Sequence, residues 1–344
     1  MADQINSRKE DHLRAIERDA DIERHASGFD AIRLTHRALP ELDFDAIDTR
    51  VSFIGKELSM PLLISSMTGG DSDEILRINR NLAEAAEECG VAMAVGSQRV
   101  MFSTPAARKS FALRDYAPTT VLLGNIGAVQ LNKGFGADEC QQAVDVLQAD
   151  GLYLHLNPLQ EAIQPEGDRD FSGLARKIAK LVPQMDVPIL LKEVGAGLSP
   201  ADIVRGLQAG IRHFDVAGRG GTSWSRIEYH RRKDDADDLG LVFQDWGLTT
   251  VEALTAAKTT LETGGHDATL IASGGLRNGV DMAKAILLGA DICGIAAPFL
   301  AAAQDSRGAV INQINALHRE FRTAMFLLGC TNCDELRRCD GLLK

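Results

Sequence analysis

Short apolar runs alternate along this chain with longer segments whose apolar positions recur every three to four residues. The runs fall at Leu62–Ser66, Val91–Val95, Thr120–Leu123, Gly151–Leu156, Pro188–Leu191, His213–Ala217, Thr269–Ala272 and Ile292–Ala296. Between them, Glu74–Glu88, Ala137–Gln148, Phe171–Val182, Pro200–Ala209, Thr250–Glu262 and Val280–Leu288 carry the period of amphipathic helices. Near-continuous apolar runs predict strands covered on both faces, and their strict alternation with helices predicts a parallel sheet. Eight such units favour a closed (β/α)8 TIM barrel over an open doubly wound sheet. The open sheet would be expected to carry Gly-x-Gly-x-x-Gly after its first strand, where this chain has Ser66-Met67-Thr68-Gly69-Gly70. Residues 1–60 are polar and rich in Arg and Asp, and are expected to form an N-terminal extension over one barrel face. The barrel is expected over 61–330, with a C-terminal tail over 331–344.

Composition narrows the function. With 344 residues and 45% hydrophobic content the chain can bury a large core, and its formal charge of −11 argues against a general nucleic-acid binder. No run approaches the length of a membrane span, and Asp3, Glu10 and Asp11 interrupt any apolar signal core, so the expectation is a cytoplasmic protein with no membrane partner. The six cysteines, Cys89, Cys140, Cys293, Cys330, Cys333 and Cys339, are scattered and expected to be reduced thiols. Cys330-x-x-Cys333 with Cys339 is compatible with zinc or redox chemistry, but no fourth ligand follows it. The charge run from Arg231 to Asp238 is expected to be a solvated loop, with a mobile lid as the alternative.

In a barrel of this class the site forms at the C-terminal ends of the strands, and the exits here are polar. His155-Leu156-Asn157-Pro158-Leu159-Gln160-Glu161 closes the fourth run with an imidazole, amides and a carboxylate. In an extended strand His155 and Asn157 share a face, and the turn at Pro158 lets Gln160 and Glu161 fold back over the strand end. Gly220-Gly221-Thr222 and Gly274-Gly275-Leu276-Arg277 are either plain tight turns or a phosphate cradle, and two such turns with Thr222 and Arg277 adjacent favour the cradle. A phosphate there suggests a phosphorylated cofactor across the barrel mouth, such as flavin mononucleotide. Lys192 would then offset negative charge on its reduced ring. The competing role for Lys192, a pair with Glu193, is disfavoured because strand neighbours face opposite ways. Arg8 and Lys9, followed by His12, form a second basic cluster that Arg99 can join, suited to a diphosphate or to a solvated helix start.

These residues resemble the type 2, flavin-dependent isopentenyl-diphosphate isomerases. The matching motifs are Arg8-Lys9-x-x-His12, Ser66-Met67-Thr68-Gly69-Gly70, Gly96-Ser97-Gln98-Arg99, Gly124-Asn125-Ile126-Gly127, His155-Leu156-Asn157-x-x-Gln160-Glu161, Lys192-Glu193-Val194-Gly195, Gly220-Gly221-Thr222-Ser223-Trp224, Asp245-Trp246-Gly247 and Ala272-Ser273-Gly274-Gly275-x-Arg277. The resemblance implies interconversion of isopentenyl diphosphate and dimethylallyl diphosphate with reduced FMN, Mg2+ and NADPH or NADH to keep the flavin reduced, without net oxidation, in isoprenoid biosynthesis. It implies FMN contacts from Ser66, Met67, Thr68, Gly69, Ser97, Asn125, Lys192, Thr222, Gly275, Arg277, Ala296 and Ala297. It implies substrate contacts from Arg8, Lys9, His12, Ser97, Gln98, Arg99, His155, Asn157 and Gln160, with Glu161 as the Mg2+ ligand. His155, Gln160 and Lys192 are the expected catalytic residues. A homo-oligomer, tetramer or octamer, is implied as well.

Two other readings compete. An FMN oxidoreductase acting on 2-hydroxy acids would be expected to show a His base with an Arg clamp, and a nucleotide dehydrogenase a nucleophilic Cys in a site loop; neither is evident. A non-catalytic flavin-binding barrel could keep the phosphate turns yet has no need of Gln160 and Glu161.

Overall fold

In the computed structural model, which describes residues 15, 16, 18–67, 69–231 and 237–342, each of the eight apolar runs overlaps a strand. A short antiparallel hairpin comes first, β1 (Val51–Phe53) and β2 (Lys56–Leu58). Then follow β3 (Leu62–Ile64), β4 (Ala92–Ala94), β5 (Leu122–Gly127), β6 (Gly151–Leu156), β7 (Ile189–Glu193), β8 (His213–Asp215), β9 (Thr269–Ser273) and β10 (Ile292–Ile295). Strands β3 to β10 pair in parallel and in order, and β10 returns to pair with β3. The chain is a (β/α)8 TIM barrel.

The boundaries differ from the hydrophobic pattern at two strands. β5 continues through Asn125 to Gly127, and β7 through Lys192 and Glu193, so residues expected in exit turns lie inside the ladder. Backbone pairing persists where the side chains have already turned polar, because the barrel mouth accepts polar groups that the apolar layer does not. The helix expected from Phe171 starts only at Leu174, after Gly173 in the left-handed region.

The core has two layers. Leu62 and Ile64 pack outward against the helices, whereas Leu63, between them, points inward with Leu123, Tyr153, Leu190 and Ile271. That inner cluster also takes Phe53 and Leu58 from the hairpin, which therefore plugs the N-terminal end of the barrel. Residues Ile22 to Arg24 lie at the other end. There the Arg24 N–H donates to the Gly221 carbonyl at 2.9 Å, and the Ser223 N–H to the Ile22 carbonyl at 2.8 Å. The described part of the extension thus touches both ends of the barrel, not the single face expected. Residues near the C-terminus pack on it, with the Asp48 N–H donating to the Thr331 carbonyl at 2.8 Å.

All six cysteines are free, with the Cys330 and Cys339 sulfurs 3.9 Å apart. No helix among the described residues is long and apolar enough to cross a membrane. Among the same residues no cluster of three His, Cys, Asp or Glu side chains is arranged to hold a metal ion.

Candidate active site

The strand exits surround one cavity of about 480 Å3. Its wall includes Ser66, Met67, Ser97, Arg99, Asn125, His155, Asn157, Gln160, Glu161, Lys192, Thr222, Gly275, Arg277, Ala296 and Ala297. Two residues expected there do not line it. Gln98 is fully buried, its amide donating to the Ala143 carbonyl at 2.8 Å and its oxygen accepting from the Asn125 N–H at 2.9 Å, so it braces the β5 end and does not face a substrate. Gly69 is buried and does not line the cavity. Arg8, Lys9, His12, Thr68 and the Arg232 to Ala236 part of the charge run lie outside the described residues.

Strand register assembles the centre. Gly127, His155, Lys192 and Asp215 are successive partners across β5, β6, β7 and β8, which puts three ionisable side chains in one row. Gly127 matters because a Cβ there would stand 3.1 Å from His155 Nε2. The imidazole Nδ1 lies 2.7 Å from Asn125 Oδ1, and the Asn125 amide donates to Ser66 Oγ at 2.9 Å. Because Asn125 Oδ1 can only accept, this network assigns the proton to Nδ1.

Lys192 does not pair with Glu193. Its ammonium donates to Asp215 Oδ2 at 2.7 Å and to Ser273 Oγ at 3.2 Å, while the Ser273 hydroxyl donates to Asp215 Oδ1 at 2.5 Å and the Tyr153 hydroxyl to Oδ2 at 3.1 Å. Asp215 is fully buried, so this four-membered network compensates its charge. Burial, and then the neighbouring Asp215 charge, hold the Tyr153 hydroxyl protonated well beyond its usual range. Glu193, on the opposite face of β7, accepts from the backbone N–H groups of Val194, Gly195, Ala196 and Gly197. Burial pushes its pKa up to about 7 against the pull of those donors, and it ties down the loop beyond the strand.

At the fourth exit, the Asn157 amide donates to Gln160 Oε1 at 3.1 Å and to Glu161 Oε1 at 3.0 Å. Glu161 Oε2 accepts from the Asp168 N–H at 2.6 Å. Asp168 gathers cations beside it, pairing with Arg99 at 2.9 Å and Lys133 at 3.1 Å. Burial raises the Asp168 pKa, but hydrogen bonds from Lys133 and Gln130 and the Arg99 charge outweigh it and hold the carboxyl below its ordinary value. Asn157 Oδ1 is buried without a partner, an unmet acceptor at the cavity wall.

Across the mouth, Gly274 and Gly275 adopt φ of 100° and 80°, and a Cβ on either would overlap a backbone carbonyl, of Gly218 or Gly220 respectively. This is a cradle that only glycine builds, with Thr222 and Arg277 at its rim, and it fits a phosphate monoester. Gly275→Ala is expected to weaken FMN binding by at least about tenfold, since the left-handed conformation alone costs about 1–2 kcal/mol before the overlap is counted. Flavin absorbance retained after gel filtration measures it.

Sequence reasoning missed two wall-side carboxylates. Glu228, fully buried on the helix Trp224–Arg231, accepts from the Gln160 amide at 2.9 Å and pairs with Arg231. Glu23, in the extension, reaches the cavity beside Thr222 and Arg277. Glu228 stands one helical turn after Trp224 of a recognised motif, which was its only signal; Glu23 had none.

A family model described as FMN-dependent dehydrogenase matches residues 10–109 and 151–340. Solved structures share the fold at low identity. They include the flavin-binding domain of baker's yeast flavocytochrome b2 (TM-score 0.69, 19% identity, 94% of this chain and 78% of that one). A mandelate oxidase mutant with an FMN adduct is similar too (TM-score 0.63, 19% identity, 93% and 89%). Far more similar in sequence are the isopentenyl-diphosphate delta-isomerases of Paracoccus zeaxanthinifaciens, 68% identical over 99% of this chain and 97% of that protein, and of Hydrogenovibrio crunogenus, 56% identical over 98% of each. Identity of that order along the whole chain, with an FMN-dependent family match and a phosphate cradle at the barrel mouth, means that the chain belongs to the FMN-dependent, type 2 isopentenyl-diphosphate delta-isomerases.

Proposed function

We propose that this enzyme interconverts isopentenyl diphosphate and dimethylallyl diphosphate without net oxidation, using reduced FMN, Mg2+ on Glu161, and NADPH to keep the flavin reduced. The observation that carries the reading is a single cavity with two anion stations. Thr222, Gly275 and Arg277 line one part of it, and Glu161 with Arg99 line another. One station suits a cofactor phosphate, and the other suits a diphosphate held through a divalent cation, which favours carboxylate and phosphate oxygens together. No three-carboxylate or histidine cage exists among the described residues, so Glu161 would share the metal with substrate oxygens and water.

When bound, reduced FMN supplies an electron-rich anionic ring that can stabilise positive charge and exchange a proton. Lys192 would offset the negative charge of that ring, with its ammonium held by Asp215, which Tyr153 and Ser273 brace in turn. His155, with its proton on Nδ1, presents Nε2 as an acceptor, and Asn125 orients it. Gln160 would contact substrate, and Glu228, which accepts from its amide at 2.9 Å, orients that side chain. Arg99, paired with Asp168 at 2.9 Å, would turn from it to the diphosphate. Residues 1–60 would complete the substrate site through Arg8, Lys9 and His12 as an extension of the 61–330 barrel, with 331–344 as a tail. The protein would work in the cytoplasm as a homo-oligomer, tetramer or octamer, in isoprenoid biosynthesis.

Purified enzyme is expected to be yellow, to release FMN on denaturation, and to interconvert the two C5 diphosphates only with reduced flavin and Mg2+. Undiminished turnover with the flavin held fully oxidised would sink the redox-neutral reading.

A further inference from the structure

Glu23 sits in a short antiparallel pairing with Thr222. Backbone hydrogen bonds flank it on both sides, Arg24 N–H to the Gly221 carbonyl at 2.9 Å and Ser223 N–H to the Ile22 carbonyl at 2.8 Å. The fold therefore posts its side chain at the cradle. One carboxylate oxygen accepts from the Thr222 hydroxyl, and the other from an Arg277 guanidinium nitrogen at 2.6 Å. These are the two rim side chains that, on the reading above, hold the phosphate of FMN.

We propose that Glu23 competes with the cofactor's phosphate for Thr222 and Arg277, and so sets how tightly a phosphorylated flavin is held. This rests on the seating of that phosphate in the Gly274–Gly275 cradle. A carboxylate and a phosphate dianion drawn to one guanidinium repel each other. Nearby charges do not relieve the conflict: Asp281 Oδ2 accepts from the Arg277 backbone N–H at 3.0 Å and adds negative charge, while the Lys284 ammonium donates to the Phe29 carbonyl at 2.8 Å. The phosphate has more acceptor oxygens than the carboxylate and can also take the backbone donors of the glycine turn, which is how it displaces Glu23. Because the backbone of residues 22–24 is hydrogen-bonded to the loop, the exchange needs only rotation of the Glu23 side chain, and the extension stays docked.

The test compares FMN with riboflavin, which lacks the phosphate, by quenching of flavin fluorescence on the full-length enzyme freed of flavin. Glu23→Gln is expected to tighten FMN by roughly fivefold to tenfold, the worth of one charged hydrogen-bonded contact at a part-exposed site, and to leave riboflavin unchanged. Glu23→Asp, which keeps the charge but shortens its reach, should tighten FMN less. As a second readout, inorganic phosphate should raise the thermal midpoint of Glu23→Gln more than that of the parent. Equal effects on both flavins, no change in FMN affinity, or weaker FMN binding would each overturn the competition, the last by making Glu23 a permanent ligand of the holo cradle. Failure of the parent enzyme to bind FMN at all would instead overturn the cofactor seating, and this proposal with it.

Discussion

Lys192→Met is expected to damage both stability and catalysis, and adding Asp215→Asn is expected to restore only the first. Asp215 is fully buried and its charge is met by Lys192 at 2.7 Å, with only neutral hydroxyls from Tyr153 and Ser273 beside it. Removing the ammonium leaves a buried carboxylate uncompensated, a loss of about 3–5 kcal/mol in comparable buried pairs. Neutralising Asp215 in the double variant removes that penalty: the Asn oxygen can accept from one of the two hydroxyls, and its N–H2 can donate to the oxygen of the other once that hydroxyl rotates. Activity should stay low in both variants, by about a hundredfold or more, if Lys192 also offsets charge on the reduced flavin. Urea denaturation and isomerase assays on the four members of the cycle separate the two effects. Activity returning together with stability in the double variant would reduce Lys192 to a structural residue.

Glu161→Gln is expected to lower activity by about a hundredfold to a thousandfold and to flatten the dependence on Mg2+, while FMN remains bound. The fold should tolerate the change. Glu161 accepts from the Asn157 amide and from the Asp168 N–H, and a Gln oxygen can keep the second bond. Its new N–H2 would face the Asn157 amide nitrogen, and a flip of Asn157 that offers Oδ1 to it gives up the bond to Gln160 Oε1, so the change costs one hydrogen bond, about 1 kcal/mol, and not the fold. Loss of FMN from this variant would be evidence against Glu161 as the metal ligand, since the cradle at Thr222, Gly275 and Arg277 would then depend on it.

The strands were legible because a parallel barrel buries both faces of each strand, which leaves runs such as Leu62–Ile64 and Ile292–Ala296 without polar interruption. The hairpin Val51–Phe53 and Lys56–Leu58 was not. Each strand has three residues of which one is fully buried, too few for a period to register. The site was legible wherever a local motif carried it, as in His155 to Glu161 and the paired glycine turns. It was not legible for Gln98 or Gly69, since a turn sends neighbouring residues to opposite sides and the sequence does not say which side faces the mouth. Nor did it mark Asp215, which lies in an apolar run and finds its partner in a lysine on the neighbouring strand.

The sequence by itself determined the eightfold alternation, the polar exits and the family, because these depend on spacing within segments of a few to a dozen residues. Only the tertiary structure decided which groups act together. Register across four strands made a row of Gly127, His155, Lys192 and Asp215, packing of the helix Trp224–Arg231 brought Glu228 to Gln160, and docking of the extension brought Glu23 to Arg277. The physical reason is that each of these contacts joins residues dozens to hundreds of positions apart, and their partners are fixed by barrel closure and the burial of whole elements, which no local pattern encodes.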